Sequence, residues 1–142
     1  MTDKKTLIDS ARRTIAIEHQ CIADLNDRLD QSFIHACELI LACEGRIVVT
    51  GMGKSGHIAR KIAATLSSTG TPAMFVHPAE ASHGDLGMIT DKDVVLALSN
   101  SGTTEELMNI LPLLKRKGVP FITLTGNPAS VLAETADANL DV

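Results

Sequence analysis

At 142 residues the chain has room for one domain with a hydrophobic core, and is too short for two ordinary ones. A net charge of −4, with no Trp or Tyr and three Phe, excludes a basic nucleic-acid stripe and the aromatic platforms of single-strand binders. The apolar runs are too short to span a bilayer, and the N-terminal MTDKKTLIDSARR lacks the apolar core of a signal peptide.

Residues 5–29 carry Ile8, Ala11, Ile15, Ile22, Leu25 and Leu29 at helical spacing. Three cysteines, Cys21, Cys37 and Cys43, form no C-x-x-C pair, so buried thiols in a reducing cytosol are expected. A second helix is expected over residues 32–42, with Phe33, Ala36, Cys37, Ile40 and Leu41 on its apolar face. After Gly45 the pattern changes to short strands rich in Val and Ile: RIVVT (46–50), PAMFV (72–76), DVVLALS (93–99), PFITLT (120–125) and NLDV (139–142). Helical patterns fall between several of them, at 55–68, 104–117 and 129–136. Strand and helix alternating at this pace predict an α/β fold, a parallel sheet with helices on both faces. Its ligand site is then expected in the loops at the carboxyl ends of the strands. Pro112 should kink the 104–117 helix or open its hydrogen-bond ladder. We expect helices over 1–44 and the sheet domain over 45–142, cut short where NLDV ends with no helix after it.

VVTGMGKSGHIARKIA joins the first strand to a helix through Gly51, Gly53 and Gly56. The spacing fits G-x-G-x-x-G, but a dinucleotide site needs an acid at the end of the second strand, where FVHP offers His77. The next acid, Glu80, follows Pro78 in a loop. A triphosphate loop needs a glycine five positions before Gly53, where Val48 lies inside the strand. A single phosphoryl group needs less: free N–H groups at the helix start, the Ser55 hydroxyl and the Lys54 charge. A plain turn whose glycines permit tight strand–helix packing fits this loop as well.

The loop SNSGTTEE (99–106) tips the balance. Ser or Thr followed by Glu could be a helix capping box, for which one hydroxyl suffices. Four hydroxyls, an amide and a glycine at one strand-to-helix turn exceed that need. They suit a dianionic phosphate.

The stretches TGMGKSGHIARKIAATLSSTGTPAMFVHP, EASHGDLG and ALSNSG resemble the sugar isomerase (SIS) domain, and among SIS domains the arabinose 5-phosphate isomerase family. The resemblance implies a three-layer αβα sandwich around a five-stranded parallel sheet, a cytoplasmic homotetramer, and active sites shared between subunits. It implies interconversion of ribulose 5-phosphate and arabinose 5-phosphate, the first step toward Kdo of lipopolysaccharide. Carried over by position, Ser55, Ser99, Asn100, Ser101 and Thr104 would hold the phosphate, with Gly53 and Gly102 as substrate-binding positions beside them. Lys54, His83 and Glu106 would serve catalysis, and Gly70, Thr71 and His77 would contact substrate. The family links His77 to bound zinc, here expected to be adventitious or inhibitory. Members also carry a further catalytic glutamate and histidine, and usually a pair of CBS domains, beyond residue 142.

Moving a proton between C1 and C2 through a cis-enediol needs a base and a group that stabilises charged oxygen. No nicotinamide or flavin is required. Glu106 would be the base, although an early-helix Glu also simply complements the macrodipole, and its choice over Glu105 rests on alignment. Lys54 would pair with the phosphate or polarise the carbonyl, and His83 would assist ring opening. His57 and His35 read as helix residues without a role. Two alternatives remain: a sugar-phosphate sensor without catalysis, or another isomerase of phosphoheptose or hexulose-phosphate type. A sensor would be expected to bring a basic helix-turn-helix, and the first 44 residues show no obvious one.

Overall fold

Strand residues of alternating direction feed two separate cores, one on each face of a single sheet. The structure, a computed structural model, describes residues 3–82 and 84–142. It divides into two compact units, residues up to Asp30 and Gln31–Val142.

The first unit is helix α1 (Lys4–Asp24) followed by a 3-10 turn, Leu25–Arg28. Asp3 caps α1 by accepting from the Lys5 N–H at 3.4 Å. The α-helix stops short of the expected residue 29. There the Asn26 amide donates back to the Ala23 carbonyl at 3.1 Å, and Leu29 is already extended. No residue of α1 is buried, and Ile8, Ile15 and Ile22 are all more than half exposed.

The second unit begins with α2 (Gln31–Leu41). It continues β1 (Ile47–Gly51), α3 (Gly53–Ser68), β2 (Ala73–Phe75), α4 (Pro78–Ser82), a 3-10 turn (Asp85–Met88) and β3 (Val94–Leu98). It closes with α5 (Glu105–Lys117), β4 (Phe121–Thr125), α6 (Val131–Thr135) and β5 (Ala138–Asp141). The sheet has five parallel strands in the order β2-β1-β3-β4-β5. The expected sandwich is present, with strand ends within about two residues of the expected ones, as end fraying allows.

Val48, Val95, Ala97 and Phe121 face one layer, where Leu107, Ile110, Leu111 and Leu114 of α5 and Leu132 of α6 cover them. Ile47, Val49, Leu96 and Ile122 face the other, against Ala59 and Ala63 of α3 and Ala36 of α2. Ile47, Phe121, Leu107, Ile110, Leu114 and Ile122 are among the fully buried side chains; each contributes about 1.5–3 kcal/mol by leaving water. The strands are therefore apolar on both sides, as parallel strands must be.

Helix α2 docks on β5, with the Ser32 hydroxyl donating to the Asn139 carbonyl at 2.7 Å and accepting from the Asn139 N–H at 3.0 Å. Its apolar face differs from expectation: Leu39 packs on the core, while Leu41 is 85% exposed at the helix end. The cysteines are not deeply buried either. Cys21 is exposed, because α1 buries nothing, and Cys37 and Cys43 are half-buried.

Residues 78–88, expected as loop, contain α4 and the 3-10 turn, and Glu80 is helical. The Lys117 ammonium holds that turn, donating to the carbonyls of Leu86 at 2.9 Å and Ile89 at 2.8 Å. Helix α5 runs through Pro112 as one element, with the proline on its exposed side where water can serve the freed carbonyl. Gly118 ends it in the left-handed region at φ 71°.

Asp93 fastens the amino ends of β1 and β3. Its carboxylate accepts from the N–H groups of Arg46 and Thr90, both at 2.7 Å, and from the Thr90 hydroxyl at 3.0 Å. Burial alone would raise its pKa. The bonds from Thr90 and Arg46 and the Arg46 charge outweigh that, and hold it below the ordinary value.

Candidate functional site

From β1 the chain crosses to β2 on one side, and from β3 it crosses to β4 on the other. The loops leaving β1 and β3 therefore diverge and open a crevice between the carboxyl ends of these two strands, where an open α/β sheet binds ligands. The two motif loops singled out by sequence, 51–56 and 99–106, are the ones that border it.

The glycine turn is built by packing as much as by function. A Cβ on Gly56 would lie 2.6 Å from the Gly51 carbonyl oxygen, and one on Gly51 3.0 Å from the Leu98 carbonyl. Gly53 has open space around it but adopts φ 52°, so here glycine is required by the backbone. The tight turn starts α3 at the strand end, leaving Ser55 half-buried and Lys54 exposed. Met52, at the N-cap, makes no side-chain cap bond, so the first amides of α3 keep free donors.

In the second loop the hydroxyls divide into two kinds. Ser99 is 3% exposed and its hydroxyl is engaged within the loop, sharing a 2.7 Å bond with Thr104 Oγ1 and accepting from the Gly102 N–H at 3.1 Å. Thr104 sits at the N-cap of α5 but makes no cap bond, because its hydroxyl is turned to Ser99. The capping-box explanation of this motif therefore fails. The first turn of a 13-residue helix stays uncapped by side chains, with its positive end toward the crevice. Ser101 and Asn100 are exposed, and Ser101 Oγ accepts from the Thr103 N–H at 3.3 Å, which holds it at the loop's outer rim.

A third loop supports this one from behind. The Gly102 carbonyl accepts from the Leu132 N–H at 3.3 Å, and the Gly126 N–H donates to the Asn100 carbonyl at 3.0 Å. Ser130, 3% exposed, caps α6 by accepting from the Ala133 N–H at 3.3 Å and lies directly against the α-carbon of Gly102. Sequence reasoning passed over Gly126 and Ser130. A serine before an apolar helical run was the available signal for Ser130.

The two adjacent acids differ in setting. Glu105 and Glu106 are the first two residues of α5, so Glu106 stands at the helix start. Glu105 is exposed and Glu106 is half-buried.

His77 follows β2 and closes a cavity of about 200 Å³ with Gly51, Gly53, Gly56, His57 and Arg60. Its Nδ1 is buried without a hydrogen-bond partner among the described residues. Sequence reasoning gave His57 no role, because it read as a helix residue, and did not consider Arg60. Among the described residues no group of three His, Cys, Asp or Glu side chains is arranged to hold a metal ion, although His57 and His77 line the same cavity.

Two candidates lie elsewhere. Gly70, at φ 99°, and Thr71 follow α3 and precede β2, whose Ala73 pairs with Ile47 at the start of β1. They belong to the amino edge of the sheet, opposite the crevice. His83 lies outside the described residues.

The SIS domain family model matches residues 40–142. An arabinose 5-phosphate isomerase KdsD of Pseudomonas aeruginosa is 60% identical over 141 residues, which is 99% of this chain and 43% of that protein. The KdsD of Escherichia coli K12 is 53% identical over 133 residues, 94% of this chain and 40% of that protein. An E. coli CFT073 protein solved in complex with arabinose 5-phosphate shares the fold at TM-score 0.92 and 40% identity, covering 99% of this chain and 74% of its own. The chain thus spans about two fifths of the length of these curated relatives.

Proposed function

Since the chain belongs to the SIS domain family, we propose that this protein is an aldose–ketose isomerase that interconverts D-arabinose 5-phosphate and D-ribulose 5-phosphate, a step that supplies Kdo synthesis. The observation that carries the reading is the uncapped start of α5, flanked by the exposed Ser101 and Asn100 and followed at once by the half-buried Glu106. Identity of 60% to a KdsD isomerase supports the substrate.

The phosphate sits against Ser55, Asn100, Ser101 and the free amides at the starts of α3 and α5, with Ser99, Gly102 and Thr104 shaping the loop. In the opened sugar the Glu106 carboxylate takes the proton from C2. Electrons move toward the C1 carbonyl oxygen, which gains a proton as the cis-enediol forms. Glu106 then returns its proton to C1 while the 2-hydroxyl gives up its own, leaving the ketone. Lys54 stabilises the oxygen that carries charge between these steps. His83 assists ring opening. No cofactor takes part, and zinc at His77 acts as an adventitious inhibitor.

Gly70 and Thr71 stand at the edge of the sheet away from the crevice, so they reach substrate from another copy of the chain. The exposed Ile8, Ile15 and Ile22 of α1 support assembly, proposed here as a homotetramer with shared active sites. The cytoplasm is the proposed compartment. Three unpaired cysteines support it, and no helix of the described residues is long and apolar enough to cross a membrane. Neither nucleic acid nor membrane is a proposed partner.

The test is a proton NMR time course of arabinose 5-phosphate in D2O with the protein. Loss of the C2 proton signal with ribulose 5-phosphate appearing is the expected result. Bound sugar phosphate with an unchanged C2 signal would replace the isomerase with a sensor. Turnover of a heptose or hexulose phosphate instead would reassign the substrate.

A further inference from the structure

Helix α1 buries none of its residues and yet carries a regular apolar row. Ile8, Ile15 and Ile22 repeat every seven positions, two helical turns apart, and Ala11 lies on the same stripe. All three isoleucines are more than half exposed. The 21 residues of α1 make a rod of about 32 Å, and a helix owes most of its stability to packing an apolar face of this kind. A continuous apolar row left in water marks a surface that another element covers.

Charge decides what lies across the row. Lys4, Lys5, Arg12 and Arg13 outnumber Asp9, so residues 4–13 carry a net +3, whereas Glu18 and Asp24 give residues 14–24 a net −2. Arg12 reaches Asp9 of its own helix at 3.9 Å, but both side chains are largely exposed, and so weak a pair leaves Arg12 able to turn to another carboxylate. Glu18 stands three positions after Ile15, on the apolar stripe itself. A parallel partner helix would set Glu18 against Glu18 and one +3 half against the other. An antiparallel one lays each basic half on an acidic half. With the axis at Ile15, Ile8 then meets Ile22 of the second copy, and Glu18 meets Arg12 of the second copy. Two identical helices paired in this way are related by a two-fold axis, so the pair closes on itself.

We propose that α1 is the pairing surface for a second copy of this chain, docked antiparallel about a two-fold axis at Ile15, with Glu18 and Arg12 fixing its direction. The inference rests on the self-assembly put forward above and gives it a geometry; it does not depend on the isomerase chemistry.

Sedimentation equilibrium of the whole chain reads the pairing. Ile15→Glu, at the axis, should weaken association by more than tenfold. Glu18→Lys and Arg12→Glu should each weaken it by about tenfold, and the two together should restore it. In a parallel pair Glu18→Lys would leave like charge facing like and change nothing. Direction is read separately by cross-linking, in protein whose Cys21, Cys37 and Cys43 are replaced by alanine. Under mild oxidation Ile8→Cys alone and Ile22→Cys alone should remain single chains, while a mixture of the two should join through a disulfide. An amide spectrum matching the parent protein over residues 31–142 establishes that each variant is folded. A parent protein that sediments as a monomer, with α1 folded back on its own chain or kept for a different partner, would overturn the proposal. So would an association unchanged by Ile15→Glu or by Glu18→Lys, or a disulfide in Ile8→Cys alone. A dimer with these properties that goes no further would correct the tetramer and keep the pair. None of these readouts depends on turnover, so failure of the isomerase reading would leave the result standing.

Discussion

Ser130 and Gly102, 28 positions apart in sequence, touch so closely that a Cβ on Gly102 would collide with the Ser130 hydroxyl. The contact joins the start of α6 to the loop proposed to bind phosphate. Gly102 also adopts φ 65°, in the left-handed region.

Two separable penalties are therefore expected for Gly102→Ala. Alone it should cost about 2–4 kcal/mol, the sum of a steric clash and about 1 kcal/mol of backbone strain. Combined with Ser130→Gly, the clash is relieved and a smaller loss remains beyond that of Ser130→Gly itself. Urea unfolding of the two single variants and the double variant measures the coupling. Additive losses would show that Ser130 does not confine Gly102.

The serines of this loop should separate stability from binding. Ser99→Ala removes one of two acceptors of the Gly102 N–H, which keeps the Ser99 carbonyl at 3.1 Å, and frees the Thr104 hydroxyl from its 2.7 Å bond, a loss of about 0.5–1.5 kcal/mol in unfolding free energy. Ser101→Ala, on an exposed rim, should leave the unfolding midpoint alone. It should weaken the sugar phosphate by about tenfold at the hydroxyl loop, measured by calorimetry. The reverse pattern would exchange their roles.

Adjacent acids with different burial give a direct contrast. Glu106→Gln should lower kcat by about 10²- to 10⁴-fold with the KM for sugar phosphate little changed, as expected for a lost general base. Glu105→Gln, on the exposed side, should stay close to the parent enzyme. Comparable losses in both would point to the helix-start charge rather than to a proton carrier.

The glycine turn offers a test of packing against backbone freedom. Gly56→Ala puts a methyl 2.6 Å from the Gly51 carbonyl, so strand end and helix start must part, at about 1–3 kcal/mol. Gly53→Ala meets no atom within 4 Å and pays for its φ of 52° alone, about 1 kcal/mol. Thermal unfolding should rank Gly56→Ala below Gly53→Ala. The opposite order would mean that torsional strain, not contact, selects these glycines.

Asp93 should make the fold sensitive to acid. Its carboxyl is held below the ordinary value in the folded chain. As pH falls, the unfolded chain takes up this proton first, so the contribution is full above the unfolded pKa and is lost as pH drops through the folded one. Asp93→Asn should cost about 2–3 kcal/mol near neutrality, and its difference from the parent protein should begin to shrink only below about pH 5 and go on shrinking beneath the ordinary carboxylate range as the lowered folded pKa is passed. A difference that stays constant over that range would remove Asp93 from the acid response.

Much of the layout was legible in local pattern. The five strands and the helices between them follow from Val- and Ile-rich runs alternating with helical periodicity. Both crevice loops were found because an excess of hydroxyls and glycines at a strand-to-helix turn is a local signature. What local pattern missed were partners distant in sequence. Ser130, inside the helical pattern at 129–136, and Gly126 drew no attention until β4 was placed beside β3. His57 read as a helix residue without a role, and Arg60 drew no attention, until β2 brought Phe75 and His77 against α3.

Periodicity and turn chemistry act through neighbours a few residues apart, so the identity of each strand and helix, and the choice of loops that carry polar donors, are already written in the linear chain. The order β2-β1-β3-β4-β5 arises instead from packing between segments tens of residues apart, and it emerges only in the folded molecule. That order sets the crevice between β1 and β3, leaves Gly70 and Thr71 at the opposite edge, turns Thr104 to Ser99 instead of its own helix, and closes the cavity around Arg60. Each of these is a distance between remote residues, which no local preference encodes.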